Sequence, residues 1–204
     1  MGFYSGVILP KLCHLSMRNR RLTPYRKRVV ASAEGRVLEI GIGSGLNLAF
    51  YPAAVREILG LEPSAQLVSM AKEAATASPS PVTFIEGSAE SIPLDSNSID
   101  TVVTTWTLCT IPQATTALDE MRRVLKPSGR LLFVEHGLAP DESVRKWQDR
   151  LTPAWRCLSG GCHLNRPIRR MIEHAGFRLD RIETAYMPGP KLMTFMYEGA
   201  ARPA

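Results

Sequence analysis

The sequence predicts an α/β protein built on a largely parallel β-sheet. Three observations carry that reading. Apolar strand-like runs alternate with helical patterns in a βαβ rhythm. A hydrophobic strand at 36–40 runs straight into a turn with glycines at 41, 43 and 45. An acid, Glu62, closes the next strand 21 residues after Gly41. A chain of 204 residues, 45% hydrophobic and 22% charged, suits one domain of ordinary size with a substantial core.

The elements follow in order. Residues 1–30 form a basic arm: Lys11, Arg18, Arg20, Arg21, Arg26, Lys27 and Arg28 stand there with no acid. The rest of the chain carries 18 basic against 19 acidic residues, so the net charge of +6 belongs to the arm and not to residues 31–204, the domain proper. That distribution argues against a nucleic-acid-binding face across the fold. The arm also holds Phe3, Tyr4, Val7, Ile8, Leu12 and Leu15 at roughly helical spacing, with Pro10 interrupting the pattern. An interfacial helix on an anionic membrane surface and simple packing over the domain are both open readings.

After the strand at 36–40 the pattern predicts a helix at 46–51, a strand at 55–61 and a helix at 64–76. Ser78 to Pro81 breaks the rhythm, a strand follows at 82–85, and 87–98 is rich in turn residues. Residues 99–105 are Thr- and Val-rich and predict a buried strand. Apolar side chains at 114, 117, 118, 121, 124 and 125 mark a helix packed on the sheet, stopped by Pro127-Ser-Gly129. A fifth strand is expected at 130–135. Residues 141–175 read as helical with interruptions at Pro153, Gly160-Gly161 and Pro167, and strands close the chain at 177–186 and 191–197. No run reaches the roughly 18 apolar residues of a membrane span, and no leader peptide is legible. Cys13, Cys109, Cys157 and Cys162 are too few and too irregular for a secreted disulfide framework. An intracellular protein with reduced thiols is the expectation.

Parallel strands place a ligand at their carboxyl ends, where the glycine turn lies. The nicotinamide fingerprint G-x-G-x-x-G requires its third glycine three positions after the second, but Gly45 comes two after Gly43 and position 46 is Leu. Glu39, beside the loop, would repel a dinucleotide's phosphates yet suits a cationic aminoacyl group. S-adenosylmethionine carries such a group. Glu62 is placed to accept both hydroxyls of an adenosine ribose, and Ser88-Ala89-Glu90 at the end of the third strand to meet the adenine edge.

Through VLEIGIGSG, LEPS, GSAESIPLDSNSIDTVV and RVLKPSGRLLFVEH the chain resembles the class I S-adenosylmethionine-dependent methyltransferases over roughly residues 35–136. The resemblance implies a Rossmann-like sheet of seven strands, the last antiparallel, with helices on both faces. It also implies a cofactor site of Glu39, Gly41, Gly43, Gly45, Asn47, Glu62, Pro63, Ser88, Ala89, Glu90 and Thr105, with Thr105 on the aminoacyl side. Ser88 departs from the Asp of many relatives, so Ser88 or Glu90 would hold the adenine amine. The segments KWQDRLTPAW, GGCHLNR and TLCTI resemble the group containing membrane-associated thiol S-methyltransferases, and the chain is also similar to ubiquinone/menaquinone-type methyltransferases.

These likenesses imply an enzyme moving a methyl group to a small acceptor, a thiol or other soft apolar nucleophile. The alternatives are a phospholipid amine or quinone-like phenol methylated at a membrane surface, or a silent S-adenosylmethionine-binding partner protein. A thiol ionises near pH 8.5 and needs little help at neutral pH, whereas a phenol near about 10 gains from a base. His136, just past the fifth strand, and His163 are the candidate bases, each with a plainer role as a loop tether. Trp106, Cys109, Trp155, Asn165 and Arg166 are candidates for the acceptor side, against core packing for the tryptophans and helix capping for Asn165 and Arg166. Trp147 is a third such tryptophan. Cys157, Cys162 and His163 lack a fourth ligand for a closed zinc site, so no metal is expected; Cys109, Cys157 and Cys162 read as buried small hydrophobes.

Overall fold

In the computed structural model, which describes residues 8–204, seven strands form one sheet in the order β3-β2-β1-β4-β5-β7-β6. The strands are β1 (Gly35–Ile40), β2 (Val55–Glu62), β3 (Val82–Glu86), β4 (Ile99–Thr105), β5 (Leu125–His136), β6 (Phe177–Tyr186) and β7 (Phe195–Pro203). β1 to β5 pair in parallel, while β7 is antiparallel to both β5 and β6. The helices are α1 (Leu9–Met17), α2 (Thr23–Val30), α3 (Ala65–Ala75), α4 (Ala114–Val124), α5 (Glu142–Leu158), α6 (Ile168–His174) and α7 (Lys191–Thr194).

Parallel strands buried on both faces read as continuous apolar runs, and alternate residues feed two cores. Leu38, Ile40, Val102, Leu131 and Phe133 pack with Leu118 and Met121 of α4 and Ile172 of α6. Val37, Ile58, Val103, Leu132 and Val134 pack on the other face, with Val29 and Val30 of α2 and the half-buried Ala74 and Ala75 of α3. β1, β2, β4 and β5 end at Ile40, Glu62, Thr105 and His136, so the residues at and just beyond these ends share one edge.

Four local expectations are corrected. The helix at 46–51 is only a 3-10 turn, Leu48–Phe50, because Tyr51 is extended (ψ 136°) ahead of Pro52. Residues 191–197 are not one strand: Pro190 starts the turn of α7, and β7 begins at Phe195. Pro153 does not interrupt α5, which runs through it. Pro10 likewise does not break the arm but opens α1, where its missing N–H costs nothing. Phe3, Tyr4 and Val7 lie outside the described residues, and among those described no helix is long and apolar enough to cross a membrane.

Candidate active site

Gly41, Gly43 and Gly45 all take positive φ (62°, 57° and 76°), a conformation that side-chain-bearing residues avoid. Their surroundings differ. A Cβ on Gly41 would collide with the Thr107 side chain, and one on Gly45 would come within 2.9 Å of Leu48 and 3.0 Å of Ala74. Among the described residues, a Cβ on Gly43 would meet nothing nearer than the Gly41 carbonyl at 3.8 Å. Gly41 and Gly45 are therefore glycines of packing as well as of turn geometry, and Gly43 is the one that faces open space.

Glu62 stands under this loop. One carboxylate oxygen accepts the Gly43 amide at 3.0 Å and the other the Ser64 amide at 3.0 Å. Burial raises its pKa, and those two amides pull it back. Each oxygen retains a lone pair. Pro63 is exposed at the bend, and Ser64 caps α3. At the end of β3 the Ser88 hydroxyl donates to Glu90 at 3.0 Å, Glu90 accepts the Gln113 amide at 2.6 Å, and Ala89 is buried between them.

Glu39 lies deeper. Its two oxygens accept the Asn47 side-chain amide and the Tyr51 hydroxyl, each at 2.7 Å. Asn47 also donates to the Thr105 hydroxyl at 3.1 Å and accepts Arg26 at 2.9 Å. Burial pushes Glu39 up to about 7 against these hydrogen bonds and the Arg26 charge. Arg26 of α2, itself buried, reaches the Met17 carbonyl and lies 4.8 Å from the centre of the Trp106 ring. The cation over Trp106 is thus a side chain of the arm, and Trp106 also meets Tyr25 edge-on while holding φ 51°.

On the β4–β5 side, Glu135 is fully buried and one of its oxygens accepts from Thr104, the Thr107 amide and the Leu108 amide. This fixes the turn that carries Cys109. His136 Nε2 lies 3.1 Å from Cys162 Sγ, and Cys109 completes a buried trio. The Cys109 thiol and then His136 hold the Cys162 thiol below its usual range, whereas Cys109 is raised. Trp155 leans its indole toward Cys162 without reaching hydrogen-bonding geometry. His163 tethers its loop: its amide and Nδ1 meet the Cys109 carbonyl at 2.8 and 3.0 Å. Arg166 spends its donors on the carbonyls of Leu108, Ile111 and Pro112 and does not cap α6, and Asn165 bonds Asp149. Trp147 is exposed and Cys157 points its thiol at the Pro153 carbonyl, apart from the trio.

α1 crosses this edge. His14 Nδ1 is 2.7 Å from the Ser44 hydroxyl of the glycine turn, and Leu9 packs on Gly160. Cys13 sits between them, where burial first and then Cys162 and Glu62 raise its pKa. A cavity of 320 Å³ between Glu34, Arg56 and Asp100 lies at the opposite, amino-terminal end of the strands. Arg56 and Lys126 both pair there with Asp100, so it is an ion-paired rim and not the reaction site.

Sequence reading missed Arg26, Tyr51, Thr107, Glu135 and Gln148. Glu135 ends the RLLFVEH block and had a usable signal, an acid closing a buried strand just as Glu39 and Glu62 do. Arg26 and Tyr51 carry no such signal, since only the fold brings them to Asn47 and Glu39.

Residues 38–133 match the family model described as a methyltransferase domain. The thiol S-methyltransferase TMT1B of Homo sapiens is 31% identical over 203 residues, 94% of this chain and 83% of its own length. That of Rattus norvegicus is 33% identical over 162 residues, 78% of this chain and 66% of its own length, just under two thirds. The ubiquinone/menaquinone biosynthesis C-methyltransferase of Syntrophotalea carbinolica is 34% identical over 122 residues, 58% of this chain and 50% of its own. Among solved structures, an S-adenosylmethionine-dependent methyltransferase from Leishmania major superposes with a TM-score of 0.72 at 17% identity, covering 98% of this chain and 80% of that one. One from Aquifex aeolicus does so at 0.67 and 16%, covering 96% and 98%.

Proposed function

Because the chain belongs to the class I S-adenosylmethionine-dependent methyltransferases, in the group that includes thiol S-methyltransferases, we propose that it methylates the sulfur of a small apolar thiol. The residues fit the donor. Gly43 leaves the approach that a nucleoside needs, and Glu62 keeps one lone pair on each oxygen for a ribose hydroxyl. Ala89 and Glu90 would meet the adenine, and the Glu39–Asn47–Thr105 network would face the aminoacyl end. When bound, the donor supplies an electrophilic methyl on a sulfonium. The chain aligns the acceptor lone pair with it, excludes water and leaves the acceptor unprotonated.

One observation carries the acceptor reading. The likeness to human TMT1B runs over 94% of the chain, so it includes α5, the glycine turn and α6, which carry the candidate acceptor residues Trp155, Asn165 and Arg166 or adjoin them. The quinone-type likeness covers 58% and so leaves much of the chain unmatched. A thiol also demands least of the side chains present, since His136 already gives Nε2 to Cys162 and His163 is committed to its loop. The test is a panel of alkyl thiols, phenols and phosphatidylethanolamine with labelled donor. A kcat/KM for thiols at least about tenfold above the others is expected, about 1.4 kcal/mol of transition-state preference. Equal or faster labelling of phenol or amine overturns the thiol reading, and no labelled product from any of them overturns the enzymatic one.

The arm adds a second reading, docking on an anionic membrane. Ile8, Leu12 and Leu15 follow one face of α1 and are 37%, 50% and 70% exposed, with Lys11, Arg18, Arg20 and Arg21 exposed around them. Flotation with phosphatidylserine vesicles should capture the chain and fail for Leu12→Asp/Leu15→Asp. Capture unaffected by that double change, or no capture of the wild type, removes the arm from this role.

A further inference from the structure

We propose that Cys109, His136 and Cys162 form a three-ligand site for a soft divalent cation, with zinc as the fitting case. The three residues come from separate stretches: the turn after β4, the last residue of β5, and the glycine turn between α5 and α6. A ligand atom of each lies within 4.8 Å of the others, and the side chains are buried. Zinc–sulfur bonds of about 2.3 Å and zinc–nitrogen bonds of about 2.0 Å, set at tetrahedral angles, put ligand atoms about 3.5–3.8 Å apart. An ion would open the 3.1 Å contact between His136 and Cys162 by about 0.4 Å and draw in any pair that stands nearer the 4.8 Å limit by up to about 1 Å, shifts within the reach of side-chain rotation.

The surrounding backbone holds the donors in place before any ion arrives. His163, next to Cys162, donates its amide to the Cys109 carbonyl, which locks the two sulfur-bearing segments together. Gly160 and Gly161, with φ 68° and 98°, make the sharp turn that delivers Cys162 inward. Arg166 clamps the turn that carries Cys109 through three carbonyls. A second observation points to a ligand. Glu135 Oε2 and His136 Nδ1 are buried with no hydrogen-bond partner among the described residues; Glu135 adjoins His136 in the chain and accepts the amide of Leu108, next to Cys109, while the buried Trp155 indole N–H faces the Cys162 sulfur. Leaving such atoms unmet is costly, which marks this as a place built to hold a polar guest. Three protein ligands with one open position are the pattern of reactive rather than purely structural zinc sites. The ligand set that local spacing offers, Cys157, Cys162 and His163, does not converge, because Cys157 is exposed on α5 and His163 faces a carbonyl.

The site goes beyond the thiol-acceptor reading and is read out without turnover. The full chain, reduced anaerobically so that no disulfide competes, is titrated with zinc against a chromophoric chelator and then with cobalt(II). About one equivalent should bind, and cobalt should give sulfur-to-metal charge-transfer bands for two thiolates. Cys109→Ser and Cys162→Ser should each weaken binding by at least about 100-fold and remove about half of that absorption, while Cys157→Ser changes neither. Less than about a tenth of an equivalent in the wild type, or charge-transfer bands missing from its cobalt form, overturns the proposal without reliance on any variant. Unchanged affinity in folded Cys162→Ser does the same.

Discussion

Gly43 is the residue at which the proposed donor site is most directly tested. Its φ of 57° makes alanine there cost about 1–2 kcal/mol of backbone strain, yet the added methyl meets no atom of the described residues nearer than 3.8 Å. Gly43→Ala should therefore fold with a modest loss of stability and bind S-adenosylmethionine more weakly. Gly45→Ala should lose stability first, because its methyl strikes Leu48 and Ala74. Calorimetry beside urea unfolding separates the two, and unaltered affinity in Gly43→Ala would move the donor off the loop. Glu39 makes a prediction of another kind. Its carboxyl rises from the ordinary 4.5 to about 7 chiefly by burial, so between these values the folded chain holds a proton that the unfolded chain has released. Stability from this group is full below about pH 4.5 and is lost as pH rises through about 7. Glu135, up to about 7 for the same reason, acts in the same direction. Glu39→Gln should flatten the fall in unfolding free energy between about pH 5 and pH 8, provided the variant is compared with wild type at each pH. Identical slopes would mean that Glu39 keeps its charge throughout.

Elements whose neighbours repeat at a fixed period were legible from sequence. α4 is the clearest, since Ala114, Ala117, Leu118, Met121 and Val124 are all buried, and β4 shows its Thr and Val run as a buried strand. Elements decided by a distant partner were not. Tyr51 gives up a helix to reach Glu39, and α5 passes Pro153, one turn after Gln148 anchors it from within. Gln148 is fully buried and meets four backbone groups: its two side-chain N–H groups are shared among the carbonyls of Gly137, Leu164 and Leu192, and its oxygen accepts the Ala139 amide. A glutamine in a charged helix gives no sequence sign of this. Gln148→Leu would strand those groups, so a loss of at least about 2 kcal/mol is expected in urea unfolding, where each buried unmet group costs about 1–3 kcal/mol. A change below about 0.5 kcal/mol would show that water replaces the side chain there.

At the scale of the whole molecule the proposed donor side and the Cys109–His136–Cys162 side differ in how they are encoded. Glu39, the glycine turn, Glu62 and Ser88 to Glu90 follow strand ends in chain order, so contiguous motifs announce them. Cys109, His136 and Cys162 are joined only by the crossing of β4, β5 and the turn after α5, and no local spacing reveals that. The arm belongs with the second kind, because its charge is visible in the sequence but its place across the carboxyl edge is not. α1 meets the domain mainly along its inner side, through His14 with Ser44, Leu9 with Gly160, and the buried Pro10, and is tied to α2 by the Met17 carbonyl on Arg26. Its outer face keeps Leu12 and Leu15 exposed. A short helix with one side in solvent opens at low cost, and on the proposed site a donor reaching Gly43 would lie beneath it. Bound donor should then hold α1 down. Amide exchange over residues 9–17 is expected to slow when S-adenosylmethionine is added, together with 41–47, while β6 at the far side of the sheet is unchanged. If 41–47 gains protection and 9–17 does not, α1 is no part of the donor's enclosure, and the arm's exposed leucines are left to the membrane reading alone.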